Sequence, residues 1–181
     1  MIKVINNQNL FKNHFYLEST EKSFSYHKAD AIVSAANSFG FMDGGSDIAI
    51  IEILGQSIAR EVRQTIIEDH YGELAVGSAI TIEINHPQYK YLIVAPTMRI
   101  PKSIVNTHNV YVAMRAILAE INKHDIESAV MPMLGTGYGQ MSYENAGNQM
   151  LMAVESMLPR SMSFDDVHQS ERRLNETTYA V

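Results

Sequence analysis

The chain contains no cysteine. Disulfides and thiolate metal sites are therefore excluded, and a reducing, cytoplasmic setting is the expectation. No apolar run approaches the ~20 residues that a membrane-crossing helix needs. The opening residues, Met1-Ile2-Lys3-Val4, have neither the apolar core nor the cleavage site of a secretory signal. Positive charge is also scarce: 14 Lys and Arg stand against 20 Asp and Glu, for a net charge of −6. That balance argues against a broad surface for duplex nucleic acid and leaves room for a local basic pocket. The histidines, among them His86, His108 and His124, show neither H-x-x-x-H spacing nor carboxylate pairing. Surface or helix-end positions are expected for them, and no metal is predicted. Internal repeats and low-complexity segments are absent too. What is present is globular: 181 residues, 46% hydrophobic and 19% charged, enough for one domain with a sizeable core plus a tail.

Apolar patterning predicts alternating strands and helices. Short strands are expected at 2–5 and 14–17, with weak alternation at Phe24-Ser25-Tyr26. Residues 29–36 form a continuous run of small apolar residues, the pattern of a central strand buried on both faces. From Ser46 to about Tyr71, Ile50, Leu54, Ile58, Val62 and Ile66 recur at helical spacing, with a possible break at Gly55 and a C-cap at Gly72. Strands are predicted at 76–84, 91–95 and 129–133. Helices are predicted at 103–123 and from Ser142 to Pro159. Methionines such as Met114, Met131, Met133 and Met150 fall at core spacing and read as packing. Residues 160–181 are polar and without strong period, so an extended tail or one peripheral element is expected. The alternation implies an α/β layer fold with a mixed sheet.

The densest chemistry lies in two loops. "SAANSFGFMDGGSD", residues 34–47, and "LGTGYG", residues 134–139, each follow a buried strand and run toward a helix. Loops at the carboxyl ends of neighbouring strands are where open α/β folds bind ligands. Gly44-Gly45-Ser46 removes side chains at a helix start, so that backbone N–H groups and the positive helix end face outward. Gly135-Thr136-Gly137-Tyr138-Gly139 offers a similar cradle, with a hydroxyl and an aromatic face added. Glycines also serve tight strand-to-helix turns with no ligand at all. Two matching cradles favour a diphosphate ligand such as a nucleotide sugar. The Walker pattern G-x-x-x-x-G-K-[ST] is missing, and so is G-x-G-x-x-G at the first loop, which excludes a P-loop NTPase and a Rossmann dehydrogenase.

"DAIVSAANSFGFMDGGSDIAI", residues 30–50, resembles the signature of macro domains, Asp-Ala-Ile-Val-Asn-Ala-Ala-Asn followed by a glycine-rich loop ending Asp-x-Ala-Ile. "GSAITIE", "YLIVAPTM" and "VMPMLGTGYG" follow in the order of that family's later elements. The resemblance covers about residues 20–158. Its "NSFGFMDGG" and "APTMRIP" forms look most like a bacterial and phage-associated branch. It implies a three-layer α/β/α sandwich with a central mixed sheet over 1–159, with 160–181 as a polar tail or peripheral element. It implies ADP-ribose or a related nucleotide sugar as ligand, free or attached to a macromolecule, and no cofactor. Several members hydrolyse an ADP-ribosyl linkage or ADP-ribose 1″-phosphate. Others only bind, and a structural, virion-associated role with a vestigial pocket is the remaining alternative.

The resemblance also assigns residues. Asn37 matches the asparagine near the distal ribose, where in a hydrolytic member it is expected to position the water attack together with Asp47; its amide can bond two sugar hydroxyls or close an Asx-turn. Ala36 precedes it in the same motif. Gly44, Gly45 and Ser46 match the first phosphate loop. Asp43 replaces a glycine there and is expected to cap the helix rather than meet the ligand. Asp47 matches the aspartate that activates water in hydrolytic members; its alternative role is to stabilise the helix dipole, worth ~0.3–1 kcal/mol. Leu134, Gly135, Thr136, Gly137, Tyr138 and Gly139 match the second phosphate loop. Tyr138 takes the place of the aromatic against the distal ribose, or anchors the loop. At the adenine end the family's aspartate is replaced by Ser23, a neutral and weaker acceptor. Phe24 beside it stacks on the base or belongs to the core. Arg99 is within reach of a phosphate in this scheme, or is a solvated surface group.

Overall fold

The computed structural model describes residues 1–6, 15–157 and 161–179. Its centre is a six-stranded mixed sheet in the order β2-β1-β6-β3-β5-β4. The strands are β1 (Ile2–Asn6), β2 (Phe15–Ser19), β3 (Ala31–Ser34), β4 (Ile80–Glu83), β5 (Tyr91–Val94) and β6 (Ser128–Met131). β3 lies between β5 and β6 and runs parallel to both, while β1 and β4 pair antiparallel with β6 and β5. A strand hydrogen-bonded on both sides and covered on both faces needs apolar residues throughout, and all four residues of β3 are buried.

Side-chain alternation sends the two faces of this sheet to different helices. Ala31 and Val33 face a core completed by α3 (Asn109–Lys123) and α4 (Tyr143–Ser156), through residues such as Met114, Ile117 and Met150. Ile32 faces a second core with α1 (Ser46–Leu54) and α2 (Ser57–Asp69), through Ile50, Ile58, Val62 and Ile66. The result is the three-layer α/β/α sandwich.

Several predicted boundaries shift for local reasons. The long helix from Ser46 divides at Gly55, whose φ of 93° is a left-handed conformation that a helix interior does not accept. The strand at 29–36 shortens to β3, and 76–84 shortens to β4. The helix predicted from residue 103 starts only at Asn109, because the stretch before it is held as a turn by Thr107, whose Oγ1 donates to Ile104 O at 2.8 Å. Phe24–Tyr26, where alternation is weak, forms one turn of 3₁₀ helix. The polar stretch after residue 160 contains a helix, α5 (Phe164–Tyr179), which lies against α4. Residues 7–14, with the first residue of the strand expected at 14–17, and residues 158–160, with the helix end expected at Pro159, lie outside the described residues.

Candidate functional site

The parallel strands β6, β3 and β5 end on one side of the sheet, and a cavity of about 500 Å³ opens there. Both glycine loops line it. The first loop leaves β3 and is held by Asn37, which is 8% exposed. Its Oδ1 accepts from the N–H of Phe39 at 3.0 Å and of Phe41 at 3.4 Å, and its Nδ2 donates to Phe41 O at 2.8 Å. The amide is therefore largely committed to shaping the loop, with one N–H left for a ligand. The loop then reaches Gly45, which precedes α1 at φ 59° and ψ −134°. No described hydrogen bond uses the N–H groups of Gly44, Gly45 or Ser46, three residues that line the cavity at the start of α1, its positive end. Asp43 does not cap the helix as expected. The cap position is Gly45, with no side-chain cap bond, and Asp43 lines the cavity instead.

The second loop leaves β6. Gly135 has φ 74°, and a Cβ added to it would lie 2.6 Å from Val110 Cγ2. A Cβ on Gly139 would lie 2.4 Å from Gly135 O. Only glycine permits this tight loop, which Ile104 holds from below by donating its N–H to Gly139 O at 2.9 Å. The N–H groups of Gly137, Tyr138 and Gly139 donate to no described partner. Thr136 Oγ1 donates to Met133 O at 2.9 Å, so that hydroxyl's proton serves the loop. Tyr138 is 66% exposed rather than a half-buried anchor. Its ring packs on the other loop, with Cε2 3.0 Å from where a Gly44 Cβ would stand, so the two cradles meet across the cavity.

Asp47 lies in the first turn of α1 and lines the same cavity, 6% exposed. Ser34, the last residue of β3, points to the α1 side and donates its Oγ to Asp47 Oδ1 at 2.7 Å. Burial raises the Asp47 pKa to about 6; the Ser34 bond opposes that rise and the negative charge of Asp43 adds to it. The carboxylate is thus positioned, partly desolvated and titrating close to neutrality.

Most other assigned residues meet here. Ala36, Gly44, Gly45, Ser46, Gly135, Thr136, Gly137, Tyr138 and Gly139 all line the cavity. Phe24 reaches its edge while 4% exposed and packed in the α1–α2 core, with its carbonyl accepting the Tyr89 hydroxyl. Leu134 is fully buried in the other core and is not part of the lining. Ser23 is outside the lining as well, and its hydroxyl pairs with that of Ser25 at 2.9 Å. Arg99 does not serve the cavity. Its guanidinium forms two bonds to Glu73, at 2.7 and 2.8 Å, and lies over the Phe39 ring. Among the described residues no group of three or more His, Asp or Glu is placed to hold a metal.

Several lining residues escaped the sequence reading. Thr97, Met98 and Pro101 follow β5, the third parallel strand, and the strand-end rule applied to the first two loops covers them too. Met1 enters because antiparallel β1 starts where β6 ends, Ile2 opposite Met131. Tyr143, the first residue of α4, is 72% exposed and carries no sequence signal.

The three-layer sandwich thus carries a cavity lined by two glycine loops and a buried carboxylate. The Macro domain family model matches residues 33–150, and the chain belongs to the macro domain family. An uncharacterized protein of Aquifex aeolicus is 31% identical over 134 residues, 74% of this chain and 78% of that protein. Among solved structures, a variant of the Oceanobacillus iheyensis macrodomain superposes over 100% of both chains with a TM-score of 0.71 at 16% identity. Another variant of it, solved with ADPR, has a TM-score of 0.66 at 16% identity over 84% of this chain and 88% of that one. At these identities the likeness is one of fold.

Proposed function

We propose that this macro domain binds ADP-ribose, free or attached to a macromolecule, and hydrolyses a bond at its distal ribose. The carrying observation is Asp47: a buried carboxylate, oriented by Ser34, with its pKa raised to about 6, in the cavity that both glycine loops line. The ADPR complex of the Oceanobacillus iheyensis relative supports the choice of ligand. The diphosphate lies over the free N–H groups of Gly44-Gly45-Ser46 and of the second loop, which neutralise it without a cationic side chain. The distal ribose meets Asn37 and the exposed face of Tyr138, and the base lies toward Phe24. A water beside Asp47 gives up one proton to the carboxylate while its oxygen joins the distal ribose carbon. The released group leaves with the bonding electron pair. A base whose pKa lies near the working pH is suited to this step.

A reader that binds without chemistry is the second reading, favoured by Asn37, whose amide is mostly spent on the loop. The two separate on Asp47→Asn, which keeps the shape and the acceptor for Ser34. For a hydrolase, turnover of an ADP-ribosylated substrate falls by about 100-fold or more, within the range for loss of a general base, while ADP-ribose affinity changes by less than about tenfold. Equal turnover in the variant removes Asp47 from the chemistry, and no turnover by the unaltered protein over hours selects the reader.

A further inference from the structure

We propose that Thr97 is a further ligand-binding residue: its hydroxyl, next to the spare N–H of Asn37, holds a hydroxyl of the distal ribose. This rests on the reading of the cavity as an ADP-ribose site. Thr97 belongs to neither glycine loop. It follows β5 and lines the main cavity while only 1% exposed. Its backbone is fixed from two sides. Its N–H donates to Ala36 O at 3.1 Å, and its carbonyl accepts from Nδ2 of Asn109, the first residue of α3, at 2.8 Å. Met98 then pairs with Asn37 as a parallel bridge, so the chain segments leaving β3 and β5 run side by side into the cavity wall.

With the backbone satisfied, the Thr97 hydroxyl is left over. Among the described residues it has no hydrogen-bond partner. Buried polar groups are bonded as a rule, and burying a hydroxyl without a partner is costly. The shape of the wall alone is served equally by valine, so the hydroxyl calls for a partner inside the cavity. Asn37 presents the complementary group. It is 8% exposed, its Oδ1 is engaged by two backbone N–H groups and one amide hydrogen by Phe41 O, which leaves one N–H. An amide N–H only donates, whereas a threonine hydroxyl donates and accepts. On adjacent segments the two match neighbouring hydroxyls of a sugar, one accepting from Asn37 and the other bonded to Thr97. Phosphate oxygens are served elsewhere, by the unused backbone N–H groups of the two glycine loops.

The test is calorimetric titration of the full chain, Thr97→Val and Thr97→Ser with ADP-ribose and with ADP, which lacks the distal ribose. Thr97→Val keeps the shape and removes a hydroxyl that has no protein partner, so the melting temperature without ligand is expected to stay unchanged or rise. Its ADP-ribose affinity is expected to fall by about three- to tenfold, the size of one neutral hydrogen bond, while ADP affinity stays within about twofold. Thr97→Ser retains the hydroxyl and is expected to hold ADP-ribose within about threefold of the unaltered chain. Unchanged ADP-ribose affinity in Thr97→Val overturns the proposal. So does an equal loss for both ligands, which takes the hydroxyl away from the distal ribose. A melting temperature lowered by several degrees overturns it too, because the hydroxyl is then bonded within the protein. Binding of neither ligand by the unaltered protein overturns the pocket assignment itself, and this inference with it.

Discussion

Asp47 carries two opposed consequences of the same burial. Desolvation raises its pKa from 3.8 to about 6, so the folded chain holds a proton that the unfolded chain releases between those values. The resulting contribution to stability is fully present below about pH 4 and is lost as pH rises through 6, amounting to up to about 3 kcal/mol by pH 7. Asp47→Asn removes the ionisation while keeping an acceptor for Ser34. It is expected to raise the melting temperature at pH 7 and to leave it nearly unchanged at pH 4, read by thermal denaturation at both. Its activity follows the opposite course. For the proposed hydrolase, turnover of the unaltered protein is expected to rise with a midpoint near pH 6 as the carboxylate ionises, two pH units above an ordinary aspartate. A midpoint near pH 4 in the pH–rate profile contradicts the desolvated base.

At the scale of elements, the second loop is a backbone device that tolerates side chains unevenly. Gly135→Ala adds a Cβ at a φ of 74° and 2.6 Å from Val110, and Gly139→Ala places one 2.4 Å from a carbonyl oxygen. Each is expected to lower stability by about 2 kcal/mol or more and to weaken ligand binding, measured by denaturant unfolding and titration. Gly137→Ala meets nothing within 4 Å and is expected to leave stability within about 0.5 kcal/mol. The contrast was only partly legible beforehand. Glycine spacing after a buried strand announced both cradles, and the break at Gly55 was visible as a glycine inside a helical period. The role of residues 103–108 was not. Helical periodicity extends the α3 pattern backward through them, whereas tertiary contact with Gly139 holds them as the turn beneath the loop. Asp43 was misplaced for a related reason: sequence proximity to a helix start suggests a cap, but the cap geometry belongs to Gly45. Ser34 went unremarked because its partner, Asp47, lies across a loop that only the fold closes.

At the scale of the whole molecule, α5 is an added piece seated on the outer side of α4. Among its described contacts, Leu174 and Thr178 are buried, Thr178 Oγ1 accepts from Gln149 Nε2 at 3.1 Å, the Tyr179 ring meets His108 edge-on at 6.5 Å, and Arg173 pairs with Glu155 at 3.2 Å on the surface. Exposed pairs of that kind contribute about 0–1 kcal/mol, so the apolar contact and the buried bond dominate. Gln149 also donates to Thr107 O at 2.9 Å and accepts from the N–H of Tyr111 at 3.0 Å, which ties α4 to the turn that leads into α3. Leu174→Ala is expected to increase cleavage within α5 in limited proteolysis while ADP-ribose affinity stays within about twofold, since no residue of α5 lines the cavity. Gln149→Leu takes its partner from the half-buried N–H of Tyr111 and from the half-buried carbonyl of Thr107, and is expected to lower global stability by about 1–3 kcal/mol.

The pocket itself is tested most directly by calorimetric titration of the unaltered chain with ADP-ribose, ADP and AMP. The proposed diphosphate site, with the distal ribose against Asn37 and Tyr138, calls for one site with ADP-ribose bound most tightly, ADP next and AMP weakest. Absence of binding, or equal affinity for all three, contradicts the assignment of the two glycine loops to a diphosphate and of the Asn37 end to a second ribose.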